Sequence, residues 1–177
     1  MSELLKNIIR FFLFILVQYF ILFNIPPLHR FITPYLYFLF ILWLPFNMPR
    51  LLLTLTGFLF GLTLDYFTKT PGLHAAACTL IAYIRPFLIS LLITQEGADK
   101  NYASPSATSM GFTPYATYVV VLTFLHHVCL VFLEWMTFGS FWFFIGKVGA
   151  TTGVSFLLIL VTELLFFRKE KFRTNTA

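Results

Sequence analysis

Charge is what this chain lacks most. Lys, Arg, Asp and Glu make up 11% of its 177 residues, where soluble domains carry about 25%. A soluble core of this size needs far more charge to cover its surface. Lipid must therefore surround most of the protein, which excludes most soluble enzyme folds. Cysteine is scarce as well: Cys78 and Cys129 both lie inside apolar runs. They read as small buried apolar residues, and neither a disulfide nor a zinc site is expected. Also missing are a paired-carboxylate motif for metal and pyrophosphate, G-x-S-x-G or a rhomboid-like Ser/His arrangement, H-E-x-x-H and a Gly-rich phosphate loop. No enzyme, cofactor or resident metal is expected. The halves of the chain do not mirror each other, so an inverted-repeat transporter is unsupported.

What is abundant is apolar bulk, 59% hydrophobic with 24 Phe, under a net charge of +5. The basic residues form no nucleic-acid stripe. Their one dense run, Arg168, Lys169, Lys171 and Arg173, follows the last apolar segment, as in a basic cytoplasmic tail over 168–177. The apolar runs predict one all-α membrane domain of about six transmembrane helices, at 8–25, 31–46, 51–67, 73–94, 115–138 and 141–167. The first resembles a signal peptide but is too long and lacks a small-x-small cleavage pattern, so it reads as an uncleaved span ended by Pro26 and Pro27. Residues 95–114, with Glu96, Asp99 and Lys100, read as a solvated cytoplasmic loop. With the N-terminus inside, Lys6, Arg10, Arg50, Lys100 and the four tail cations face the cytoplasm, against Arg30 and Lys69 outside. That bias predicts N-in, C-in.

Few residues in the spans can carry chemistry or contacts. Arg85 lies about 16 Å along the fourth helix from His74, followed directly by Pro86, which frees the Ala82 carbonyl. An ionised group at that depth binds a partner or makes a structural contact, and does not face lipid. Asp65 and His74 flank the turn between helices three and four. They read either as wet helix ends or as a pair that hydrogen-bonds across the turn. Gly57 and Gly61, and again Gly149 and Gly153, form G-x-x-x-G pairs that let helices approach closely, with internal packing favoured over a foreign helix. Of His126 and His127, one should pack and one lie at the periphery, since neighbours point about 100° apart. Glu134 can pair with Lys147.

Gly57-Phe58-Leu59-Phe60-Gly61-Leu62-Thr63-Leu64-Asp65, then Thr70-Pro71-Gly72-Leu73-His74-Ala75 and Leu80-Ile81-Ala82-Tyr83, resemble the bacterial rod shape-determining MreD family. That family has a helix ending in G-x-x-x-D, a Pro-Gly turn and a helix opening on L-H-A. The strong part of the likeness covers about residues 50 to 90. It implies a non-enzymatic inner-membrane subunit of the cell-elongation machinery, the elongasome. Such a subunit binds the bitopic protein MreC and couples MreB filaments to cell-wall synthases and peptidoglycan synthesis. Its helix arrangement is similar to the substrate-binding subunits of energy-coupling-factor transporters. Gly57, Gly61, Asp65, Pro71, Gly72, His74 and Ala75 match the motif, and Arg85-Pro86 departs from it. The alternative is a vitamin-binding subunit of such a transporter, with an outward pocket near Asp65, His74 and Glu134.

Overall fold

The computed structural model describes residues 3–25, 32–93, 103–135 and 141–165. Helix α1 (Glu3–Leu16) continues through a π-turn at Val17–Ile21 and a 3₁₀ turn at Leu22–Asn24. Next come α2 (Leu39–Leu42), α3 (Arg50–Thr68), α4 (Leu73–Leu92), α5 (Ala107–Met110), α6 (Phe112–Trp135) and α7 (Phe141–Leu165). Among the described residues, five stretches are long and apolar enough to cross a membrane: Leu4–Asn24, α3, α4, Phe112–Glu134 within α6, and α7. The described residues contain no strand. This is an all-α membrane protein.

Its polarity is inverted relative to a soluble fold. Leu51, Tyr83, Phe87, Phe112, Trp142 and Leu164 point outward, while Gln18, Asp65, Arg85, His126 and His127 are buried. Such a surface is stable where the surrounding medium is hydrocarbon.

The helix expected over 31–46 is corrected by the structure. Residues 32–36 are neither helix nor strand, and only Leu39–Leu42 form a helical turn. Pro34 supplies no N–H, and Pro45 and Pro49 close the far side. The segment runs antiparallel to α1. Pro34, Leu36 and Tyr37 bond to Gln18, Phe40 packs on Phe11, and Trp43 packs on Phe14 beneath Arg10. Tyr37, Phe38, Leu39, Ile41 and Leu42 are wholly buried. The segment is thus a non-helical core wrapped by helices. Irregular backbone at this depth survives only where the protein satisfies its polar groups.

The expected loop over 95–114 is also shorter than the sequence suggested. The Ala103 carbonyl accepts from the Phe46 N–H at 3.0 Å. Ser106 and Ser109 form a reciprocal capping box on α5, and α6 starts at Phe112. A Ser-rich stretch that reads as solvated is therefore folded onto the bundle, because its hydroxyls cap a helix. Lys100, Pro26, Pro27, Arg30 and the tail cations Arg168, Lys169, Lys171 and Arg173 lie outside the described residues.

Candidate functional site

The α3–α4 turn gathers most of the motif. Lys69 closes α3 in the left-handed conformation, and Gly72 takes φ +86° ahead of α4, a backbone state that favours glycine. Asp65 is only 2% exposed. Its carboxylate accepts N–H bonds from Gly72 at 3.1 Å, His74 at 2.9 Å and Ala75 at 2.9 Å, and the Thr70 hydroxyl at 3.2 Å. These amides are first-turn donors that the helix itself leaves unpaired, and a negative charge there also meets the positive end of the helix dipole. Asp65 is therefore the cap of α4, supplied from the preceding helix.

Gly61 makes that cap possible. A Cβ at Gly61 would lie 2.5 Å from the His74 carbonyl oxygen and 2.6 Å from the Ala75 Cα, and one at Gly57 would lie 2.8 Å from the Ala82 Cβ. The two glycines of α3 are filled by α4, so they offer no face to another chain. Pro71 and Gly72 turn the chain so that His74 and Ala75 meet Gly61 and Asp65. The wet-end reading of Asp65 and His74 is corrected: both are buried, because the close hairpin leaves water no room.

His74 does not bond the Asp65 carboxylate through its ring. Its Nδ1 lies 2.8 Å from the Tyr37 hydroxyl, which lies 2.8 Å from His126 Nε2. With one proton, the hydroxyl donates to one imidazole and accepts from the other. His126 stacks on Phe38, while His127 sits 2.7 Å from the Thr123 carbonyl oxygen and 3.2 Å from Ser155 Oγ. Ser155 in turn accepts the Tyr35 N–H at 3.3 Å. Both adjacent histidines are buried, which corrects the expectation of one peripheral imidazole. The core segment covers one and α7 the other, so directions 100° apart are both interior.

Arg85 is 1% exposed and belongs to the opposite end of α4. Its Nε donates to the Tyr118 hydroxyl at 2.9 Å, which donates to the Leu42 carbonyl at 2.9 Å. Its Nη2 donates to the Leu44 carbonyl and its Nη1 to the Pro45 carbonyl. These are the carbonyls left without helical partners where α2 ends. Arg85 thus holds the core segment and is closed to a foreign partner. Gln18 does the same at the other end, where its Oε1 accepts from the Leu36 N–H at 2.9 Å and its Nε2 donates to the Pro34 carbonyl at 3.0 Å. Gln18 was legible as the lone amide between Arg10 and Asn24 in an apolar run, and the sequence reading passed it over. Tyr37, Tyr118 and Ser155 carried no such signal.

Where α6 gives way to α7, Lys147 pairs with Glu134, both partly buried. Among the described residues no group of three or more His, Cys, Asp and Glu is placed to hold a metal. No protein-family model, curated protein or solved structure matches the chain.

One helix face remains open. Among the described residues, a Cβ at Gly149 or Gly153 would meet no other element within 4 Å, and Trp142, Ile145 and Leu157 stand exposed beside them. The second G-x-x-x-G pair therefore supplies a smooth strip of α7 that no part of the described chain covers.

Proposed function

We propose that this protein is a non-enzymatic membrane scaffold of the MreD type, seated in the bacterial inner membrane with both termini in the cytoplasm. On this reading the chain crosses six times, five times as helix and once as the core segment 32–46. It binds the transmembrane helix of MreC and so helps couple MreB filaments to cell-wall synthesis and rod shape. The supporting observation is the contrast between its two glycine pairs. Gly57 and Gly61 are used internally, whereas Gly149 and Gly153 are bare, and a bare small-residue strip lets a second helix approach to backbone contact. Interhelical docking in lipid depends on such packing, because burial from hydrocarbon gives no hydrophobic gain. The polar groups suited to a ligand, Asp65, His74 and Arg85, are occupied by the protein's own backbone and side chains.

The test is a mild-detergent pull-down of the tagged protein from native membranes, with co-purifying proteins and small molecules identified by mass spectrometry. Recovery of MreC by the wild type, lost in Gly149→Leu or Gly153→Leu, is the expected result. A stoichiometric vitamin together with transporter ATPase subunits would overturn the reading and make the protein a ligand-binding subunit.

A further inference from the structure

Two grooves open on the end of the bundle where α1 begins. One, of about 470 Å³, runs between α6 and α7 and has the Glu163 carboxylate in its wall. The other, of about 640 Å³, lies between α1, the exit of the core segment and the first turns of α3. That volume is within the range of roughly 300–1,000 Å³ typical of ligand sites. Phe11, Phe12, Phe40 and Leu52 wall it, Asn7 and Asn47 are its side-chain amides, and no acidic residue lines it.

One cation stands at the edge of the second groove. Arg50 is exposed directly after the wall residue Pro49, and its guanidinium bonds to none of the described residues. Lys6 and Arg10 lie on the opposite face of α1 from the wall residues Leu4, Ile8, Phe11 and Phe12, with Arg10 over the Trp43 ring, so Arg50 is the cation that serves this groove. Helix α3 starts without a side-chain cap, so its first-turn N–H groups add a partial positive charge beside Asn47. An apolar groove with an arginine at its edge fits a molecule with a hydrocarbon tail and an anionic head. Its Phe and Leu walls lack the small residues that admit a helix backbone, so a thin flexible chain fits better than a transmembrane helix.

We propose that the α1–α3 groove binds an anionic phospholipid, with an acyl chain between Phe11, Phe12 and Leu52 and the phosphate at Arg50. The proposal is independent of the scaffold reading. It requires only that this face meet lipid. A zwitterionic lipid is disfavoured because its ammonium is held close to the same cation.

The test is native mass spectrometry of the delipidated full-length protein with equimolar dioleoyl phosphatidylglycerol and dioleoyl phosphatidylcholine. The wild type should retain the glycerol lipid preferentially. Arg50→Gln should lower that preference about fivefold, the effect of one basic residue near an anionic surface. Leu52→Trp, at a side chain 51% exposed and so tolerant of substitution, should lower retention of both lipids. Lys69→Gln, which removes the same charge at the other end of α3, should leave the preference intact. The proposal is overturned if the wild type has no preference, if Lys69→Gln matches Arg50→Gln, or if a protein segment fills the groove and excludes both lipids.

Discussion

The pair Gly57 and Gly61 on α3 and the pair Gly149 and Gly153 on α7 share one spacing and have opposite surroundings. The first meets Ala75, Cys78 and Ala82 so closely that any Cβ collides, and the second meets nothing within 4 Å. A G-x-x-x-G pair makes room for a backbone, and a partner with small residues in matching register must then take it. Helix α4 is such a partner because Ala75, Cys78 and Ala82 fall at helical spacing on one face. The tight turn Thr68 to Gly72 delivers that face in register. Nothing in the described chain plays that part for α7.

Filling the closed pair should give the largest effect. Gly61→Leu forces a side chain into the His74 and Ala75 backbone, where no rotamer change can relieve the clash, and also pulls the amides away from Asp65. We expect a loss of at least about 3 kcal/mol, or failure to fold. An SDS or thermal unfolding titration in detergent, followed by helical circular dichroism, measures it. Gly57→Leu should be milder, since its nearest neighbour is the Ala82 methyl. An unfolding midpoint equal to wild type for Gly61→Leu would break the comparison at its closed end.

Next comes the core segment that the hairpin helps to hold. Arg85→Met removes the donors to the Leu44 and Pro45 carbonyls while keeping most of the volume. Buried carbonyls without donors cost roughly 1–3 kcal/mol each, partly offset because a buried charge is also removed. A net loss of about 2–3 kcal/mol is expected, with the largest change in hydrogen exchange at 39–46. Exchange rising instead at the α3–α4 turn would sink this assignment. Asp65→Ala should cost about 1–2 kcal/mol as a lost cap, and Asp65→Asn less, because one carbonyl oxygen still accepts from the α4 amides. Equal losses for the two would show that Asp65 acts by something other than capping.

The membrane class was legible in the scarcity of charge, and the apolar runs beginning near 51, 73, 115 and 141 form long helices in the structure. Legibility ended where an apolar run was not a helix. Residues 31–46 are as hydrophobic as a span, and hydropathy cannot distinguish a helix, which satisfies its own backbone, from an irregular segment satisfied by Gln18, Tyr118, Arg85 and Ser155. Those partners stand far apart in sequence, so no local pattern links them. The same limit applies to the motif. Gly61, Asp65, Gly72 and His74 could be singled out from spacing, yet the role of Asp65 as a cap on the next helix needed the turn geometry. Gly57 and Gly149 sit in equivalent patterns, and only the neighbours tell a closed face from an open one.

The smallest expected effect on stability is the one that sharpens the comparison most. Leu at Gly149 or Gly153 starts from a Cβ that meets no other element within 4 Å among the described residues. Helix propensity favours Leu over Gly by close to 1 kcal/mol, so each variant should be as stable as wild type or slightly more so. Partner recovery should nevertheless fall, because a Leu side chain keeps an approaching helix from the backbone contact that the strip allows. Loss of binding without loss of stability is an outcome that general misfolding does not produce. Unaltered partner recovery with both variants would mean that the open strip faces only lipid, and the docking face would then have to be sought elsewhere on the outer surface.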